Sequence, residues 1–250
     1  MASMQSLELL NQNKPTLAQL VMVNMPVGTT ENEAQRVVLK EISNFEMLLQ
    51  TKPDLVGCTP LSVLLAVKQT ICDNLTIAPS AGLVYLIPSK VGNDWVATYL
   101  PTANGLLSMA YQSGAILDNK RPVVTFDGAG KVDSVTVEFL VPSHPHPRWE
   151  VITFGETHFK KWRDASTKKN NGKTNGNYTS WNGGIDPEFA GTKAIRHGLN
   201  KRGSNGNAPR KTDNGEIKFE PVSVIEKEFT EHEIVESNIN NNQVKAEDLA

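Results

Sequence analysis

The chain has 250 residues, 39% of them hydrophobic and 21% charged, with a formal net charge of -2 at pH 7. That suits an ordinary soluble globular protein of one sizeable domain or two small ones. With only Cys58 and Cys72 and no CxxC pair, neither a disulfide framework nor a thiolate zinc site is expected, and both cysteines read as small buried hydrophobes.

The N-terminal MASMQSLELL lacks the charged start and apolar run of a secretory leader, and no apolar run reaches membrane-spanning length. A cytoplasmic protein is expected. Residues 1–29 are polar and weakly periodic and read as an arm. From Thr30 to Gln50, apolar residues at helical spacing follow a Thr30/Glu33 capping-box pattern. TPLSVLLAVKQTICD predicts a second helix, with Thr59 as cap and Pro60 at its first position. Its long apolar face belongs to the core.

The period then changes. Residues 82–88 and 94–100 are apolar, β-branched and aromatic runs joined by a turn-rich link, which predicts a hairpin. Thr102 precedes a short helix closed by Ser113-Gly114. RPVVTF and VDSVTVEFLV predict a second hairpin around Gly128 and Gly130, and residues 148–155 another strand. Glu156–Asp164 reads as a short helix carrying Lys160, Lys161 and Arg163. Residues 165–177, nearly free of apolar side chains, read as a mobile basic loop. A last helix is expected at about Pro187–Lys201, and an acidic, disordered tail after residue 203. The fold class is α+β: antiparallel β-hairpins with helices packed on one face.

Near-neutrality overall conceals segregation. Residues 1–157 balance at -4, residues 158–211 at +9, and residues 212–250 at -7. A +9 block of 54 residues is an electrostatic footprint for a polyanion, against the plainer reading of a solvated basic loop. Its centre is FAGTKAIRHGLNK, residues 189–201. At about 100° per residue, Lys193, Arg196, His197, Asn200 and Lys201 span roughly 140° of one helix side. Ala194, Ile195, Gly198 and Leu199 fill the other side, small enough for close approach to a sheet. A merely solvated face would mix Glu with Lys. No acid occurs between Phe189 and Lys201, and Arg202 extends the run. Phe159, Trp162, Tyr178 and Trp181 lie in the same block, a mixture that suits single strands, because stacking tolerates any base. Trp162 and Trp181 can equally be core residues.

Other motifs carry little. Gly172-Lys173-Thr174 lacks the glycine five residues earlier, the buried strand and the helix that a phosphate loop needs. His144-Pro145-His146 sits among prolines and reads as an extended linker. Asp54, Asp73 and Asp94 are scattered, and no GxSxG, HExxH or paired-carboxylate signature occurs.

The ordered set Gly57-Cys58-Thr59-Pro60-Leu-Ser62, Asn74-Leu-Thr-Ile-Ala-Pro79, Gly82-Leu-Val-Tyr85-Leu-Ile-Pro88, Gly105-Leu-Leu-Ser-Met-Ala110 with Ser113-Gly114, then Trp181, Lys193-Ala-Ile-Arg196 and Lys201, resembles the RecT family of phage and prophage single-strand annealing proteins. It covers about residues 30–203, between the arm and a tail at 204–250. The resemblance implies an ATP-independent recombinase, not an enzyme of bond chemistry, in the cytoplasm of a bacterial host. Such a protein binds single-stranded DNA, anneals complementary strands through a duplex intermediate, and works as a homo-oligomeric ring or filament. It implies a positively charged groove, a partner exonuclease, a host single-strand-binding protein, no membrane, and no required cofactor or metal beyond an effect of Mg²⁺ on annealing. DNA-backbone contact carries over to Lys193, Arg196 and Lys201. The charge and aromatic pattern adds Lys160, Lys161, Arg163, Tyr178, Trp181, His197 and Arg202. Asn104 departs from the family, standing where relatives often have a basic residue. The alternatives are a Mg²⁺-dependent nuclease and a passive single-stranded nucleic-acid-binding protein. Charge reversal at Lys193 and Arg196 is the test that the sequence suggests.

Overall fold

Two helices open the chain, α1 (Ala2–Gln12) and α2 (Lys14–Asn24), in the stretch expected to be an arm. Leu10, Leu17, Ala18 and Val21 are buried against the helices that follow, so these residues are part of the core. Asn and Gln between the leucines hide the apolar stripe, and the break at Asn13 interrupts its phase. The computed structural model describes residues 2–24, 28–169, 172–201, 210–211 and 217–218. The chain divides into two units, Met1–Ser204 and Asn205–Ala250.

In the first unit, α3 (Glu31–Thr51) starts with the expected capping box. Thr30 Oγ1 accepts from the Glu33 N–H, and the Glu33 carboxylate accepts from the Thr30 N–H. On α4 (Pro60–Cys72), Thr59 holds the cap position, but its side chain makes no cap bond. Ser62 Oγ instead donates to the Thr59 carbonyl and accepts from the Ala97 N–H, tying α4 to the strand beside it. Cys58 is buried and Cys72 half-buried, both as free thiols. Burial raises the pKa of each.

Glu41 of α3 is a buried carboxylate. It accepts from Thr76 Oγ1 at 2.6 Å, the Ile77 N–H at 2.9 Å and Asn44 Nδ2 at 3.2 Å. Three donors offset the cost of removing its charge from water, and they pin the segment after α4 against α3.

The first hairpin is β1 (Val84–Val91) with β2 (Asp94–Pro101), paired from Val84↔Pro101 to Val91↔Asp94. It turns on two residues, with Gly92 at φ 61. Thr102 caps α5 (Ala103–Gln112), its hydroxyl accepting from the Gly105 N–H at 3.0 Å. Gly114 (φ 69) follows that helix as expected. Met109 of α5 packs on two apolar clusters, one around α1–α4 and the hairpin, one around the second sheet.

That sheet is antiparallel and centred on β5 (Val132–Val141). β6 (Arg148–Gly155) lines one edge, and β3 (Asp118–Asn119) and β4 (Val123–Phe126) share the other. Val135, Val137, Phe139 and Val141 alternate along β5 as the buried side. The opposite side carries a Thr136–Thr153 hydroxyl pair, a Lys120–Glu138 ion pair, and Lys120 Nζ 4.7 Å over the Trp149 ring.

β6 runs directly into α6 (Glu156–Lys169), which α7 (Pro187–Lys201) follows. α6 is longer than the sequence suggests: residues 165–169, read as loop, are helical, because Ala, Ser, Thr and Lys continue a helix already nucleated and packed. The fold class is α+β, with antiparallel sheets and helices. In the second unit, β7 (Arg210–Lys211) pairs antiparallel with β8 (Ile217–Lys218). The rest of the expected acidic tail lies outside the described residues. Among the described residues, no helix is long and apolar enough to cross a membrane.

Candidate nucleic-acid interface

Asp186 and Pro187 set the start of α7. The Asp186 carboxylate accepts from the Phe189 N–H at 2.8 Å, and Pro187 occupies a position where no N–H is needed. Ala190, Ala194, Ile195 and Leu199 are buried, the side expected to face the sheet. Gly198 sets the approach: a Cβ there would lie 2.9 Å from Phe139 Cε2 and 3.2 Å from Val137 Cγ2. α7 therefore rests on β5 at glycine distance.

The basic arc is less uniform than its spacing implies. Lys193 is half-buried, with Nζ 5.5 Å over the Phe189 ring. Arg196 is also half-buried. Its Nη1 donates to the Pro101 carbonyl at 3.1 Å, binding α7 to the junction of β2 and α5. Burial lowers its pKa. Arg196 is thus a tie within the fold before it is anything else. His197 stacks on Trp162, centroids 4.7 Å apart and planes within 11°, which clamps α7 to α6. Asn200 is exposed. Lys201 is the last residue of α7, and Arg202 lies outside the described residues.

α6 supplies the more open cations. Phe159 and Trp162 are buried on its inner side, Trp162 against Phe154 of β6 at 5.4 Å. Of the two readings of Trp162, core is the one seen. Lys160, Lys161 and Arg163 are exposed around the remainder of the helix, and Arg163 Nε stands 3.9 Å from Asp164, a loose pair in water.

Among the aromatics, Tyr178 is corrected. It is 3% exposed, edge-on to Phe189 at 5.2 Å, and so is a core ring that offers no face to a base. Tyr178 ends a short 3-10 turn (Gly176–Tyr178) through which the chain re-enters the core ahead of α7. Its hydroxyl is buried without a hydrogen-bond partner, and burial raises its pKa. Trp181 remains 43% exposed, with Nε1 donating to the Gly130 carbonyl at 3.0 Å.

No protein-family model matches the chain. No curated protein matches it either. α6 and α7 meet at the Trp162–His197 stack, with Lys160, Lys161 and Arg163 exposed on one helix and Lys193 half-buried on the other.

Proposed function

We propose that this chain is an ATP-independent DNA recombinase of the RecT type, which binds single-stranded DNA and anneals complementary strands. The observation that carries the reading is the exposed basic side of α6, pinned by Phe159 and Trp162 and clamped to the acid-free stretch of α7. A phosphate backbone needs closely spaced cations on a rigid support, and two helices fixed by stacked rings provide one. The ordered resemblance across residues 30–203 supports the same reading.

The mechanism is physical. Two complementary strands repel each other, and cations at Lys160, Lys161, Arg163 and Lys193, lining a positive groove, screen that repulsion. A strand held extended with its base edges outward can sample register with a second, and pairing supplies the driving force. Repeating a modest site around a homo-oligomer turns weak contacts into avidity.

The test mixes two complementary oligonucleotides with the full chain, without nucleotide, and follows duplex formation and strand length. Accelerated pairing with intact strands is expected. Binding without acceleration at any salt concentration would leave a passive binding protein, and shortened strands in Mg²⁺ would indicate a nuclease.

A further inference from the structure

The turn between β4 and β5 meets the loop before α7 at Gly130. Its carbonyl accepts from Trp181 Nε1 at 3.0 Å and from Asn182 Nδ2 at 2.9 Å. Gly130 has φ 73, and a Cβ there would lie 2.9 Å from Asn182 Nδ2. Across the loop, the Trp181 N–H donates to the Gly184 carbonyl at 3.2 Å and the Gly184 N–H returns to the Trp181 carbonyl at 2.7 Å. Asn182 (φ 48) and Gly183 (φ 77) between them are both left-handed, as a tight two-residue turn requires. These bonds hold the Trp181 ring in place, yet they leave it at the surface.

Beside it lies Phe126, the end of β4, with ring centroids 6.3 Å apart and planes at 39°. The strand register shifts between Thr125 and Phe126, and Phe126 is 49% exposed. Lys131, exposed at the far side of the same turn, sits close to the Gly184 backbone, where an added Cβ would lie 3.6 Å from its Cβ. Two adjoining aromatic rings kept in water by a hydrogen-bonded turn are not what the core requires. The N–H of the Trp181 indole is turned inward to Gly130, so that ring can offer π faces but no hydrogen-bond readout.

We infer that Phe126, Trp181 and Lys131 form a base-stacking site for single-stranded DNA, the rings taking nucleobases and the ammonium an adjoining phosphate. The inference rests on the annealing reading and sharpens it. A platform without a polar reader accepts any base, which a protein that must pair arbitrary sequences needs.

The test compares full-length wild type, Phe126→Ala, Lys131→Ala and Trp181→Phe on three fluorescein-labelled probes: a dT 20-mer, a 20-mer of abasic sugar-phosphate, and a blunt duplex. Phe126→Ala is expected to weaken dT binding about tenfold and leave abasic binding within twofold, whereas Lys131→Ala weakens both. Wild-type tryptophan emission falls on dT binding, and that fall is lost in Trp181→Phe. Equal losses for Phe126→Ala on dT and abasic strands, or unchanged quenching in Trp181→Phe, overturn the stacking site while the annealing reading stands. Duplex bound as tightly as dT also overturns it. A wild type that binds neither single strand overturns both.

Discussion

Gly198 stands where a helix meets a strand and Gly105 where a helix meets the segment that leads into β1, and they differ in what a methyl group would strike. At Gly198 the obstacles are the buried rings and methyls of Phe139 and Val137. At Gly105 the obstacle is the Leu83 carbonyl oxygen, closer than van der Waals contact allows, at a site where Thr102 also donates to Leu83 and caps α5. Side chains yield more easily than backbone, and an alanine in a helix gains about 1 kcal/mol over glycine. Gly198→Ala is therefore expected to lower stability by about 1 kcal/mol, and Gly105→Ala by about 3 kcal/mol, read as thermal midpoints by circular dichroism. Asp73 yields a pH prediction. It accepts from Tyr99 at 2.6 Å and Gln69 at 3.1 Å, and burial raises its pKa above 3.8 despite those bonds. The folded state then keeps the Asp73 proton to higher pH than the unfolded chain does, so this group costs stability as pH rises from about 3.8 through the raised folded value. Asp73→Asn, which can keep both partners if the Gln69 amide flips, should make the loss of stability over that window shallower in urea melts at stepped pH.

At the scale of the helix, the charge-reversal experiment that the sequence suggests is the wrong one. Arg196 donates into the fold at Pro101, so Arg196→Glu would place an acid against a carbonyl and confuse unfolding with lost binding. Lys160→Glu with Arg163→Glu on α6 alters exposed side chains and leaves Phe159 and Trp162 in place. It is expected to weaken single-strand binding at least tenfold at low salt, to reduce the salt slope by about 1.4 for two phosphate contacts, and to leave the thermal midpoint within about 2 °C. An unchanged slope would remove α6 from the interface. The contrast shows what periodicity can and cannot convey. It located α7 and its buried Ala194, Gly198 and Leu199, because helical phase and side-chain size are local properties. It could not rank Arg196 and His197, because their partners Pro101 and Trp162 depend on how α7 meets a strand end and a second helix, whereas the Lys193–Phe189 contact is a local pair four residues apart on α7 itself. Phe126 escaped for the same reason: in a strand reading it is one more alternating apolar residue, and only the register shift and the Gly130 junction bring it beside Trp181. The helices α1 and α2 were hidden by composition, since Asn and Gln between leucines look like solvent-facing chain.

At the scale of the whole molecule, the charge is arranged against itself. Residues 158–211 balance at +9 and residues 212–250 at -7, within a chain of net charge -2. Removing residues 212–250 would leave a net charge of +5, so the same contacts on α6 and α7 would act in a field of the opposite overall sign. Approach of a polyanion is governed by that field at distances up to the Debye length, about 10 Å at 0.1 M salt and 3 Å at 1 M. A chain ending at residue 211 is thus expected to bind a dT 20-mer several-fold more tightly than the full chain at 25 mM salt, mainly through faster association. The two should converge above about 0.5 M, where screening hides the tail and short-range contacts remain. Stopped-flow association rates across that range check it. Equal rates at 25 mM would mean that the tail's charge does not act on an approaching strand. A gap that persists at high salt would mean that the tail occupies the strand's own contacts, a short-range competition that screening does not relieve.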